Sequence, residues 1–293
     1  PLAFAAAAVV VASRLVPSFR GHAKGEKAEM RIAIASFAIL VLAFLVVPIV
    51  VIFPLSFSSG EILTLPTPGW SLRWYEDFFL NERWTRATLN SVIVGVATMV
   101  FATVLGTLAA FGINMSKFRG KALVIAILTL PMVVPLIVTA SSLYLGFSRI
   151  GLVNSLGGLI VAHTIIATPY VVMTVLATVQ TFDMTLVRAA LALGANPYRA
   201  FREVVLPLIM PGVIAGAIFA FATSFDELVV AIFITGPGEF TLPRQMFAGL
   251  REMLSPTIAA AAVIMILFSV VLLVVAEFAR SYGERVLQRR KDS

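Results

Sequence analysis

Charge is scarce in this chain and cysteine is absent altogether. Only 13% of its 293 residues are charged and 60% are hydrophobic, with a mean hydropathy of +1.00. A soluble domain of this size carries about a quarter charged residues. The composition therefore excludes an ordinary soluble protein and indicates an integral membrane protein in contact with a lipid bilayer. Without cysteine there is neither a disulfide framework nor a thiol metal site. The two histidines, His22 and His163, lie far apart, and no HExxH spacing occurs. A GxxxxGK[ST] phosphate loop is also missing, so this chain is not expected to hydrolyse ATP or to bind a cofactor. The net charge of +7 follows membrane topology in its distribution, and no nucleic-acid partner is expected.

What the chain has in abundance is long apolar runs. A helix crosses the hydrocarbon core with about 20 mostly apolar residues. Runs at 32–56, 88–113, 121–147, 157–180, 206–235 and 257–279 meet that test. Basic residues alternate between the connections, and they mark the cytoplasmic side. Arg14, Arg20, Lys24, Lys27 and Arg31 precede the first run, and Lys117, Arg119 and Lys121 fill the turn after the second. Arg188, Arg199 and Arg202 lie between the fourth and fifth, and Arg280, Arg285, Arg289, Arg290 and Lys291 follow the sixth. Residues 57–87 show no such enrichment, which makes them an outer loop; Trp70, Trp74 and Trp84 within it suit the lipid interface. Both ends of the core domain are expected in the cytoplasm.

The spans define a core domain at 32–281, flanked by an N-terminal segment at 1–31 and a basic tail at 282–293. The apolar stretch at 2–12 is short for a full span, and reads either as an extra N-terminal helix or as a helix lying on the bilayer. No basic residue precedes it, so it lacks the n-region of a cleavable signal. The chain opens on Pro1, which leaves room for a segment removed upstream. In the third run Pro131 and Pro135 are expected to bend the helix. The fifth run is too long for one straight rod. Thirty residues would make about 45 Å of helix, against a core of about 30 Å. A break at "TSFDE", Thr223 to Glu227, resolves the excess.

Between the fourth and fifth runs, at about 184–204, "RAALALGANPYRAFREVVLP" is too polar to cross a bilayer. Leu186, Ala189, Ala190 and Leu193 share one helical face. Gly194 tolerates the positive φ of a helix stop. Ala195 leads to Asn196, placed as an N-cap with Pro197 at the first helical position, so a second short helix starts there. Tyr198, Phe201 and Arg202 share a face of that second helix. Such a basic knuckle fits either a groove on a partner protein or anionic lipid headgroups.

This stretch resembles the EAA signature of ABC importer permeases. Arg188, Ala189, Ala190, Gly194, Val204, Leu206 and Pro207 fall at the motif positions. The motif's glutamate is replaced by Arg188, which bears on any salt bridge that glutamate makes but not on the helix–turn–helix shape. "FRGKALVIAILTLPMVVP", "VLATVQTFD" and "ATSFDELVVAIFITGPGEFTLPRQMFAGLREMLSPTIAAAA" further resemble the second permease of spermidine/putrescine importers. The resemblance reaches back to about residue 32. It implies an all-α, six-span permease (MetI-like) fold in a bacterial inner membrane. It also implies a heterodimer with a second permease, two ABC ATPase subunits holding ATP-Mg, and a periplasmic binding protein that delivers the solute. The knuckle residues Arg188 to Ala190 and Gly194 to Arg199 would then be the coupling helices that dock into the ATPase. Family members place an acid after the proline equivalent to Pro135, where this chain has Leu136. Opines, γ-aminobutyrate or another amine-bearing solute thus stand beside the polyamines.

Within the spans, Asp226 and Glu227 are the leading pathway candidates, because intramembrane carboxylates are costly unless paired, hydrated or facing a cavity. Adjacent helical residues point about 100° apart. One acid therefore faces the path while the other pairs across the subunit interface, in either order. Phe225 can hold an ammonium by cation–π attraction or simply pack. Thr223, Ser224, Ser141, Ser142 and Tyr144 either line the same cavity or join helices. His163 reads as a helix contact. Gly212 and Gly216, four apart, suit close packing of the fifth span. Two other classes compete. An ion-coupled carrier leaves the capped knuckle unexplained, and a membrane-embedded enzyme lacks a histidine, metal cluster or nucleophile beside the acids.

Overall fold

A computed structural model describes residues 26–116, 118–180, 185–252 and 255–291. The apolar stretch at 2–12, with Arg14, Arg20 and Lys24, lies outside the described residues, as does Lys117. The described chain is helical: α1 (Glu26–Ser56), α2 (Arg73–Leu80), α3 (Glu82–Met115), α4 (Lys121–Val133), α5 (Leu136–Arg149) and α6 (Leu156–Gln180) come first. They are followed by α7 (Thr185–Ala192), α8 (Pro197–Ala200), α9 (Leu206–Phe225), α10 (Val229–Ile234), α11 (Leu242–Glu252) and α12 (Thr257–Lys291). Among the described residues, extended pairing is limited to one bridge between Ser58 and Trp70. Helices predominate because a helix satisfies its own backbone hydrogen bonds, which hydrocarbon cannot do for it.

Five helices are long and apolar enough to cross a membrane: Ile34–Ser56, Glu82–Met115, Leu156–Gln180, Pro197–Phe225 and Thr257–Phe278. The α4–α5 pair, bent by 103°, makes a sixth. These match the six apolar runs to within a few residues at most ends; the fifth starts earlier, at Pro197, and stops at Phe225 rather than 235. The first helix begins at Glu26 rather than 32, and the last continues to Lys291, through the stretch expected to be a separate tail. The bend in the third run comes from Pro135. A residue before proline is driven to extended backbone, and Val134 sits at φ −68°, ψ 133°.

The described residues form two compact units. One comprises the chain up to Asn81 with Gly249–Leu273. Here α2 turns Trp74 and Phe78 inward, and the Trp74 indole donates to the Ser58 carbonyl at 2.8 Å. Tyr75 and Ser56 share a hydrogen bond of 2.7 Å. The Thr257 hydroxyl donates to Asp77 Oδ2 at 2.7 Å. The expectation that all three tryptophans meet lipid needs correction. Trp70 is exposed, whereas Trp74 and Trp84 are buried by protein. The Trp74 N–H has its partner inside the loop, so no lipid headgroup is needed to satisfy it.

The other unit comprises Glu82–Ala248 with the chain from Val274. Helix α6 is its core, with Ala167, Val171, Val172 and Val175 fully buried against Ala102 and Ala110 of α3 and Ile209 and Ala220 of α9. Close approach is made possible by glycine. A Cβ on Gly106 would lie 2.7 Å from Val171 Cβ, and one on Gly212 would collide with the Thr178 side chain. Gly216 likewise lies against Val171, so the expected packing role of Gly212 and Gly216 is seen directly. A second cluster joins Val94, Ala140, Phe147, Leu159 and Ala162 to Val230, Ala231 and Ile234 of α10. The segment after α10 is pinned to α3: Asn90 Nδ2 donates to the Phe240 carbonyl at 3.1 Å, and Ser91 Oγ accepts from the Leu242 N–H at 2.7 Å.

Candidate functional site

Two places in the larger unit bring the candidate residues together. The first is the knuckle. Helix α7 ends as its glycine dictates. Gly194 takes φ +87°, its N–H donates to the Leu191 carbonyl at 3.0 Å, and the Ala195 N–H donates to the Ala190 carbonyl at 3.1 Å. This double closure is a Schellman motif. Asn196 then caps α8, its Oδ1 accepting from the Arg199 N–H at 2.8 Å, with Pro197 in the first turn. Arg199 pairs with Glu203 at 3.0 Å. Arg188 and Ala189 are exposed, Ala190 and Ala195 partly so, and Tyr198 is 71% exposed.

One expectation fails here. The second helix is not a separate short piece: α8 runs through a π turn, Phe201–Val205, directly into α9. The cause is Pro207, which has no N–H and whose ring would press on the carbonyl four residues back. Widening one turn, with the Leu206 N–H donating to Phe201 O, relieves that conflict. Phe201 is held edge-on to Phe111 of α3, ring centroids 5.4 Å apart, so it is shared with the span rather than offered wholly outward with Tyr198.

The second place is the break in the fifth span. Helix α9 ends at Phe225, and Asp226, at φ −93° and ψ 1°, is its C-cap. Three residues later, at Val229, α10 begins. Glu227 closes its first turn: the carboxylate accepts from the Val230 N–H at 2.9 Å and from the Ala231 N–H at 3.1 Å. A carboxylate at a helix N-terminus meets the positive end of the helix dipole. Glu227 is 6% exposed, and these bonds use it within its own chain, so the reading that it pairs across a subunit interface is set aside.

Asp226 is the opposite case. It is exposed and sits at a helix C-terminus, where the dipole disfavours an anion. The adjacent acids are thus separated by the break: one faces inward and is stabilised, the other faces outward next to partial negative charge. Phe225 is buried and stacked on Phe221, centroids 5.6 Å apart. Ser224 is buried and Thr223 half-buried. Tyr144 on α5 is exposed, with its ring 6.4 Å from Phe233 of α10; Ser142 is also exposed, but two residues away on the same helix it points to a different face. Ser141 donates back to the Ile137 carbonyl at 2.7 Å, a bond within its own helix.

His163 turns out to have a larger part than the sequence suggests. It is a helix contact, as expected, but its contacts are both in the break. Its Nδ1 lies 2.8 Å from Ser224 Oγ, and its Nε2 lies 3.4 Å from Glu227 Oε2. Only its position as an ionisable residue inside an apolar run hinted at this. Among the described residues no three acidic or histidine side chains cluster as a metal site would require.

Comparison with known proteins bears on the family and the fold. Residues 102–287 match the model of the family described as "Binding-protein-dependent transport system inner membrane component". The "Spermidine/putrescine transport system permease protein PotC" of Escherichia coli strain K12 is 32% identical over 247 residues, 84% of this chain and 93% of that protein. The "Putrescine transport system permease protein PotI" of the same strain is 33% identical over 232 residues, 76% of this chain and 82% of that protein. Among solved structures, a chain of a bacterial ABC transporter that imports the acidic polysaccharide alginate superimposes with a TM-score of 0.66 at 14% identity. That match covers 89% of this chain and 99% of the other. At that identity the likeness concerns the fold.

Proposed function

The chain belongs to the family of binding-protein-dependent transport system inner membrane components, and on that premise we propose that it carries polyamines inward as one permease of an ATP-driven importer. It is a multi-pass inner-membrane transport component with the six-span permease fold of ABC importers. The proposed solute is spermidine, putrescine or a related amine, delivered by a periplasmic binding protein. A second permease completes the path, and two ABC ATPase subunits supply the ATP-Mg chemistry. Both ends of the core domain and the knuckle face the cytoplasm, where Arg188, Ala189, Ala190, Gly194, Ala195, Asn196, Pro197, Tyr198 and Arg199 dock into the ATPase.

The observation that carries the solute assignment is the setting of Asp226. An exposed carboxylate in a span is too costly to face lipid, so it faces a hydrated path. There the end of α9 adds its own negative potential. A cation is the ligand such a place favours. Tyr144, outward on α5, supplies an aromatic face for an ammonium, with Thr223 at the rim; Phe225 and Ser224 support the path from within the protein, and Glu227 shapes it by holding α10. Closure of the ATPase pair on ATP moves the knuckle, and its continuous connection through the π turn passes that motion to α9 as a rigid body.

Proteoliposomes holding both permeases and the ATPase, supplied with loaded binding protein, test this. Uptake of radiolabelled spermidine or putrescine is expected only with ATP inside. Uptake driven by a sodium or proton gradient without the ATPase would favour an ion-coupled carrier. ATP-driven uptake confined to opines or γ-aminobutyrate would keep the importer and replace the solute.

A further inference from the structure

His163 is not needed to make a hydrated path, yet it is fully buried in an apolar bundle. An imidazole there is costly unless its nitrogens are matched. Nδ1 is matched by Ser224 Oγ at 2.8 Å. Nε2 makes no hydrogen bond and faces Glu227 Oε2 at 3.4 Å. The two partners bracket Asp226 in sequence, one two residues before it and the other directly after. Helix α6, which carries His163, is the member against which Gly106, Gly212 and Gly216 pack, so it is the firm element on that side.

From this bracket we infer that His163 is a positioning residue for transport. Hydrogen-bonded to Ser224 through Nδ1 and in contact with Glu227 through Nε2, it fixes the span break so that the Asp226 carboxylate stays turned to the solute. The inference rests on the reading of Asp226 as the residue that meets the cation. One proton suffices for the chemistry. With that proton on Nε2, the Ser224 hydroxyl donates to Nδ1, while Nε2 lies 3.4 Å from the Glu227 carboxylate, a polar contact rather than a hydrogen bond, and that carboxylate accepts from Val230 and Ala231. Leucine at this position keeps much of the bulk but loses both polar ties, whereas glutamine offers an acceptor oxygen and a donor N–H at similar reach.

The absence of native cysteine allows a direct test in the complete transporter with its partner subunits made cysteine-free. Asp226→Cys places one thiol at the break, and its rate of modification by a small cationic methanethiosulfonate reports how far position 226 faces the path. His163→Leu is expected to slow modification about tenfold by shifting the break toward conformers that hide it, and His163→Gln to restore the rate to within about twofold. With Asp226 in place, His163→Leu is expected to lower kcat for uptake about tenfold at unchanged KM for the loaded binding protein, the pattern of a lost internal positioning contact. Glutamine should again rescue. Should His163→Leu fail to assemble, Ser224→Ala removes one hydroxyl and is expected to slow modification about threefold. An unchanged modification rate in the leucine or alanine variant overturns the inference. Full-rate uptake by Asp226→Asn would instead overturn the path reading and leave the labelling result standing.

Discussion

The α4–α5 break and the α9–α10 break interrupt two apolar spans by opposite means. At the first, Pro131 and Pro135 stand in a run without a charged side chain from Ala122 to Phe147, and the chain turns by 103° through backbone restriction alone. At the second no proline lies between Thr223 and Thr235. The helix stops because Glu227 caps a new one and Ser224 and His163 tie its last turn to α6. A proline break redirects a helix and leaves nothing for a ligand. A polar break leaves a carboxylate, Asp226, on the exposed side. The lesson is that a kink becomes a site when its cause is a set of side chains that also carry charge.

Substitutions sharpen that contrast. The largest effect is expected for Asp226→Asn, which should reduce uptake of a cationic solute tenfold or more, about 1.4 kcal/mol or above in transition-state terms, while the purified assembly keeps its melting temperature. Its neighbour should behave in the reverse manner. Glu227→Gln weakens the cap and the contact with His163, and a loss of about 1–3 kcal/mol of stability is expected, read as a lower melting temperature of the complex. If both variants fail in the same assay and to the same degree, the division of labour between the two acids is wrong.

The knuckle offers an intermediate case, a bend made by one glycine. Space is not limiting at Gly194, where an added Cβ meets nothing within 4 Å. Its φ of +87° is what a β-branched residue resists, at about 1–2 kcal/mol. Gly194→Val is therefore expected to lower uptake several-fold per ATP hydrolysed, with binding-protein docking intact; measured coupling equal to wild type would remove the knuckle from force transmission. The smallest effect belongs to the proline break. Pro135→Ala should leave uptake within about twofold, since a neighbouring packed structure commonly maintains a bend that proline began. A tenfold loss there would erase the distinction between the two breaks.

What was legible in the sequence follows the same division. Local backbone chemistry announced itself: the stop at Gly194, the cap at Asn196–Pro197, the bend at Pro135 and the interruption at "TSFDE" all depend on residues within a few positions of one another. Pairings set by which faces meet did not. Ser224 and His163 are 61 residues apart, Asn90 and Phe240 are 150 apart, and nothing in a single run names its partner. The burial of Trp74 was hidden for the same reason, because its acceptor is a backbone carbonyl across a loop. The π turn was missed on a subtler ground. Pro207 reads locally as the start of a new element, whereas one widened turn lets the helix continue past it.

The most direct test of the central claim is the position of the solute in the assembled transporter. Cryo-electron microscopy of the complete complex, trapped with spermidine in the path, should show an amine within about 4 Å of the Asp226 carboxylate, the range in which opposite charges interact strongly. Glu227 should remain folded back on Val230 and Ala231. Solute density lying elsewhere, with Asp226 packed against lipid or a partner side chain, would contradict it.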